Sequence, residues 1–203
     1  MVKNIIFDFG AVLIPIDESL TWESFEEAGA LKELKDQSDT FQKFEKGEIS
    51  KTQFLKNIQP YFFRKIFPAD LAKAWNAMLK PLPEERVNLL KRLKKEYRIF
   101  LLSNTNELHI QHIKDTAGPF LHKQFIRQFE KIYYSHEVGM RKPDKEIFEM
   151  VLQENDLKPE ETFYIDDGKK HTKTAKAMGI KTWHFSPEED DINDLGKVLS
   201  KHH

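Results

Sequence analysis

The sequence predicts a doubly wound α/β fold: a parallel sheet between helices, with a helical insert after its first strand. Three observations lead there. Short apolar runs at Asn4–Phe9, Arg98–Leu102 and Thr162–Ile165 lack the alternation of a half-solvated strand and read as strands buried on both faces. Each run stops abruptly at polar residues, as a strand feeding a site loop does. Stretches of helical periodicity separate the runs, which is the pattern of a sheet wound on both sides.

Along the chain, Lys131–Ser135 and Lys181–Phe185 are the fourth and fifth strand candidates. Pro83–Glu96 places Val87, Leu89, Leu90 and Leu93 on one face, and its Pro-Glu-Glu start suits a helix N-terminus. Pro143–Glu154 carries Ile147, Phe148, Val151 and Leu152 at helical spacing, and Lys173–Met178 runs into Gly179 as a stop. Between the first strand and the Pro83 helix the alternation lapses. Leu20, Trp22, Phe25 and Ala28, then Phe41 and Phe44, Phe54, Leu55 and Ile58, and finally Leu71, Ala74, Trp75 and Met78 repeat at helical spacing. Gly29, Gly47, Pro60, Pro68 and Pro81 punctuate them. The expected division is therefore a Rossmann-like core of residues 1–15 and 82–203 and a helical cap of residues 16–81. The cap would hinge near Ile14-Pro15 and Pro81–Pro83, and Trp22, Phe25, Phe41, Phe44 and Trp75 would form its apolar centre.

Bulk properties narrow the function. The 203 residues carry 32 basic and 33 acidic side chains, a balance that offers nothing to nucleic acid or an anionic membrane. The chain has no cysteine, which excludes disulfides, thiolate metal sites and a cysteine nucleophile and suits a cytoplasmic setting. No apolar stretch is long enough to span a bilayer, and the N-terminal run contains Asp8 and lacks a secretory cleavage site. The closing His202-His203 resembles a tag remnant and is assigned no function.

Chemistry is expected where strands end, since ligands in open α/β sheets gather at the carboxyl ends. Asp8 closes the first strand, Ser103-Asn104 the second, and Asp166-Asp167 the Thr162 strand, while Lys142 lies in the loop Arg141-Lys142-Pro143. Taken singly, each has an ordinary explanation as a cap, a turn or a solvated charge. Together they make a site for phosphate esters. Asp8 can attack phosphorus, Lys142 can offset the repulsion between carboxylate and phosphate, and Ser103 and Asn104 can donate hydrogen bonds. Asp166 and Asp167 can hold a hard cation, magnesium being the one that partners phosphate oxygens. His109, His112, His136 and His171 show no metal-ligand spacing and read as surface or satisfied residues.

Asp8-Phe9-Gly10-Ala11-Val12-Leu13, Leu101–Asn104, Arg141-Lys142-Pro143 and Tyr164–Asp167 resemble the four ordered motifs of the haloacid dehalogenase-like hydrolases. The resemblance implies Asp8 and Lys142 as catalytic residues and Ser103, Asn104 and Lys142 as the phosphate cradle. It also implies a magnesium site of Asp8, the Gly10 carbonyl, Asp166 and Asp167, with Asp167 the direct ligand and Asp166 its support. The implied activity is hydrolysis of a small phosphorylated metabolite, such as a sugar phosphate, through an aspartyl-phosphate.

One position departs from the pattern. Most phosphatases of this kind carry a second Asp two residues after the nucleophile as general acid and base, where this chain has Gly10. Without it, turnover should depend steeply on leaving-group pKa unless a cap residue supplies the proton, Asp17 being one candidate. If the loop holds Gly10 at positive φ, a side chain there would strain it. Two other readings compete: a metal-free haloacid dehalogenase, opposed by the paired Asp166-Asp167, and an idle binding protein on the same scaffold, supported by Gly10 alone.

Overall fold

The computed structural model describes residues 1–201; His202-His203 lie outside the described residues. Five parallel strands, β1 (Asn4–Phe7), β2 (Arg98–Ser103), β3 (Lys131–Tyr134), β4 (Thr162–Asp166) and β5 (Lys181–His184), form one sheet in the order β3-β2-β1-β4-β5. Every strand expected from the sequence is present, each within a residue or two of its expected limits.

Four helices, α1 (Glu18–Glu27), α2 (Ser38–Glu45), α3 (Lys51–Ile58) and α4 (Pro68–Trp75), follow β1. Next come α5 (Glu84–Leu93), α6 (Glu107–Ile126), α7 (Ser135–Val138), α8 (Lys145–Glu154), α9 (Lys169–Ala177) and α10 (Leu195–Ser200). Local chemistry explains several ends. Asp17 caps α1 through Ser19, Ser50 and Gln53 form a capping box on α3, and Pro68 opens α4. In α5, Glu84 and Glu85 stand at the start and Lys91 and Arg92 at the end, in line with the helix dipole.

Alternate strand residues face opposite layers. Ile5, Phe7, Ile99, Leu101, Phe163 and Ile165 pack against Val87 and Leu90 of α5, Ile113 and Phe125 of α6, and Leu195 and Leu199 of α10. Ile6, Phe100, Leu102 and Tyr164 pack against Ile147, Phe148 and Val151 of α8 and Ala175 of α9. The sheet is thus covered on both sides, which is why its strands read as unbroken apolar runs.

A third apolar cluster belongs to the insert: Phe25, Leu34, Phe44, Phe54, Ile58, Leu71 and Trp75 are buried in it, with Trp22 and Phe41 packed alongside. The Phe44 and Phe54 rings stack at 4.2 Å, and Trp75 lies 4.9 Å from Phe54. The insert rests on the sheet domain at named points. Arg141 Nη2 bonds Glu45 Oε2 at 2.8 Å, the Ser135 hydroxyl donates to the Glu45 carbonyl at 2.5 Å, and Trp75 Nε1 donates to Asn106 Oδ1 at 3.3 Å. A methyl group on Gly47 (φ +67°) would lie 2.1 Å from the His136 carbonyl oxygen, so only glycine allows that approach.

Residues 107–126 have no counterpart in the sequence reading. They form α6, which Gly118 (φ 73°, ψ 162°) interrupts ahead of Pro119. The break divides the apolar period into two short pieces that face the core separately.

His109 of α6 joins the two parts of the molecule. It is buried; its Nδ1 accepts from Asn106 Nδ2 at 3.2 Å, its Nε2 donates to the Trp75 carbonyl at 3.4 Å, and its ring stacks on Trp75 at 5.2 Å. Burial lowers its pKa from 6.5 to about 4. The unfolded chain would bind a proton here below about pH 6.5 that the folded chain refuses until about pH 4, so the contribution of His109 is intact at neutral pH and lost on acidification. The shift corresponds to about 3 kcal/mol at the acid limit. Denaturant unfolding at pH 7 and pH 4.5 should show a smaller acid loss for His109→Gln than for the unmodified protein; equal losses would refute the assignment.

Candidate functional site

The order β3-β2-β1-β4-β5 reverses winding direction beside β1, so β1 and β4 flank the switch point at their carboxyl ends. Phe7 pairs with Leu101 on one side and Ile165 on the other, which brings Asp8 level with the ends of both neighbours. The Asp8 amide donates to the Ile165 carbonyl at 2.9 Å and ties the first residue past β1 to β4.

Lys142 fastens the cluster. It is fully buried, and its Nζ lies 2.8 Å from Asp8 Oδ1, 2.6 Å from Asp166 Oδ2 and 3.0 Å from the Leu102 carbonyl. Its backbone is gripped by Asn104, whose Oδ1 accepts from the Lys142 amide at 2.8 Å while its Nδ2 donates to the Lys142 carbonyl at 2.9 Å. The Asn104 carboxamide is therefore engaged in placing Lys142, and its backbone is the part left to meet a ligand. The Lys142-Pro143 peptide is cis.

Asp166 is enclosed. Beyond Lys142, it accepts from the Tyr164 hydroxyl, from the Gly168 amide at 2.6 Å and from His171 Nδ1 at 2.8 Å. Tyr164 stands two residues before Asp166 on the same face of β4, a period-2 relation visible in the sequence. His171, read there as a surface or satisfied residue, is satisfied by Asp166 and so belongs to this cluster. The available signal was its place in the first turn of the helix that follows Asp166-Asp167, where side chains return toward the strand end.

Charge at the site is lopsided. Burial and then Asp166 push the Asp8 carboxyl well above the usual range, against the pull of Lys142. Asp167 is raised by burial and by Asp166. Burial works the same way on Asp166, but Lys142 and His171 overcome it and hold Asp166 below its usual range. Oxygens of Asp8, Asp166 and Asp167 lie within 4.8 Å of one another. Three carboxylates facing one ammonium form a donor set that a hard divalent cation would balance.

Beside the cluster is a cavity of about 150 Å³. Gly10, Ser103, Asn104 and Thr105 give it polar character on the strand-end side, and Trp75 and Met78 close it from the insert. Trp75 thus serves both the insert's core and the cavity wall. Gly10 is not held at positive φ; Ala11 takes that conformation at φ 60°, and a Cβ on Gly10 would meet only the Ile16 side chain, at 3.4 and 3.8 Å. Asp17, the sequence candidate for a substitute acid, accepts from the Ser19 amide and hydroxyl and has a lowered pKa, so it is a helix cap and a poor proton donor.

A model of the family described as haloacid dehalogenase-like hydrolase matches residues 5–185. The chain is 28% identical to the D-ribitol-5-phosphate phosphatase of Bacteroides thetaiotaomicron, with 93% of each protein covered. Among solved structures, a HAD family enzyme from the same bacterium, in complex with magnesium and inorganic phosphate, superposes with a TM-score of 0.81 at 33% identity, covering 94% of this chain and 97% of that one. A HAD-like hydrolase from Porphyromonas gingivalis gives 0.87 at 28% identity over 98% of each chain.

Gly168 makes a sharp test of the enclosure. A Cβ there would lie 2.4 Å from His171 Nδ1 and 2.8 Å from Asp166 Oδ1. Gly168→Ala should therefore displace His171 and cost about 1–3 kcal/mol of stability, read from urea unfolding; an unchanged midpoint would show that the packing at this turn is looser than described.

Proposed function

Because the chain belongs to the haloacid dehalogenase-like hydrolases, we propose that it is a magnesium-dependent phosphatase of small phosphorylated metabolites, with polyol and sugar phosphates the first to test. The observation that carries this reading is the buried Lys142 bridging Asp8 and Asp166, with the neighbouring Gly10, Ser103 and Asn104 lining a small cavity. The relative named as a ribitol phosphate phosphatase supports the substrate class. Paired Asp166-Asp167, which a metal-free dehalogenase would not need, supports phosphate over halide chemistry.

Asp8 is held through Oδ1, which accepts from Lys142 and from the Phe9 amide at 2.7 Å, while Oδ2 takes no hydrogen bond among the described residues. In the proposed reaction Oδ2 attacks phosphorus, the bond to the leaving oxygen breaks, and water then cleaves the aspartyl-phosphate to free phosphate and carboxylate. Lys142 pulls against the burial that raises the Asp8 carboxyl and would offset charge on the transferring group. Ser103 and the Asn104 backbone line the cavity as phosphate donors, and Asn104's side chain positions Lys142. Magnesium, held by Asp8, Asp167 and the Gly10 carbonyl with Asp166 in support, would supply charge neutralisation. Residues 16–81 act in this reading as the cap that shields the site from water, over a core of residues 1–15 and 82–203.

A panel of phosphorylated metabolites assayed with and without magnesium tests the proposal; no turnover of any member would end it. Asp8→Asn should keep the fold and lower turnover on the order of a thousand-fold or more. Retention of most activity would exclude the covalent route. Calorimetry should show magnesium affinity falling more than about tenfold in Asp167→Ala, and a similar or smaller fall in Asp166→Ala accompanied by lower stability, since Lys142 loses a partner. Unchanged affinity in both variants would remove the metal assignment.

A further inference from the structure

The phosphatase reading leaves one proton without a source. Breaking the bond to an alkyl leaving group produces an alkoxide, and Gly10 has no side chain with which to protonate it. The cavity shows what stands in that place. Its carboxylates come from the insert alone: Glu18 and Glu45.

Glu45 is already engaged. Its Oε2 accepts from Arg141 Nε at 3.1 Å and Nη2 at 2.8 Å, which fixes it as a link between insert and core. The neighbouring acid Asp17 is held by Ser19. The side chain of Glu18, the first residue of α1, is exposed and has no hydrogen bond or ion pair among the described residues. Glu18 and Gly10 line the same cavity, and a side chain at position 10 would meet Ile16, two residues before Glu18 and itself bridged to Leu79.

Resting on the phosphatase reading above, we propose that Glu18 is a catalytic residue that takes the part left open at Gly10. As the Asp8 Oδ2–phosphorus bond forms and the ester P–O bond breaks, the Glu18 carboxyl gives a proton to the departing oxygen, which leaves as an alcohol. The Glu18 carboxylate then accepts a proton from the water that attacks phosphorus, so that phosphate departs and both carboxyl groups return to their starting states. Acid–base catalysis is thus moved from the strand-end loop to the insert, and the full site forms only when α1 lies over the core.

The test compares Glu18→Gln with the unmodified protein, both with magnesium, on p-nitrophenyl phosphate and on the best alkyl phosphate of the panel. The aryl leaving group needs no proton; the alkyl one does. Glu18→Gln should lose about a hundred- to ten-thousand-fold in kcat/KM, which reports only the steps up to expulsion of the leaving group, on the alkyl ester and stay within about threefold on the aryl ester. A role confined to the helix dipole at the start of α1 would lower the melting temperature and leave that ratio unmoved. Equal losses of kcat/KM on both esters, or none on the alkyl ester, would overturn the proposal while leaving the phosphatase reading in place. So would an unmodified protein that hydrolyses aryl but no alkyl phosphates. A folded protein with no phosphate ester turnover would overturn both.

Discussion

A single ammonium holds this site together. Lys142 is buried to the last atom and reaches Asp8 from one strand end, Asp166 from another and the Leu102 carbonyl from a third. A buried charge of this kind is tolerable only when its partners are fixed, since losing one leaves an uncompensated ion at a cost of about 3–5 kcal/mol. The structure meets that demand on every side. Asn104 clamps the lysine's own backbone, and Tyr164, Gly168 and His171 take up the remaining capacity of Asp166. The ladder geometry of β1, β2 and β4 sets the spacing that makes the bridge fit.

The same arrangement divides three aspartates that are identical in side-chain chemistry. Asp166 is enclosed, fully hydrogen-bonded and held ionised; Asp8 and Asp167 are raised and short of positive charge. The enclosed acid orients the lysine, and the two strained ones are where a cation and a phosphoryl group would be welcomed. Burial therefore works toward chemistry here, by leaving an electrostatic deficit that ligands can fill.

Above the site, the insert has its own apolar centre yet is not independent of the sheet. Glu45 with Arg141, Trp75 with His109 and Asn106, and Gly47 against His136 tie it to the loops that follow β2 and β3. Arg141 and Lys142 are neighbours in the chain, so the residue that meets the insert adjoins the residue that holds Asp8 and Asp166. In the proposed cycle, the position of the insert and the order of the site are coupled through that dipeptide.

The sequence by itself determined the class of fold, the five strands and the family, because these follow from unbroken apolar runs, a helical period of 3.6 residues and motifs confined to a few neighbouring positions. It also marked Asp8, Ser103, Asn104, Lys142, Asp166 and Asp167 as the residues to examine, since acids and amides at strand ends stand out against apolar runs. Other features were decided by tertiary structure alone. Asn104 serves Lys142 across 38 residues, Arg141 meets Glu45 across 96, and His171 turns back onto Asp166 from the next helix. Likewise, Asp17 turned out to be a cap, Ala11 rather than Gly10 took the left-handed turn, and Glu18 came to line the cavity. These depend on how layers stack and where loops cross. No local pattern encodes that, because the energy deciding it comes from contacts between segments that the chain order keeps far apart.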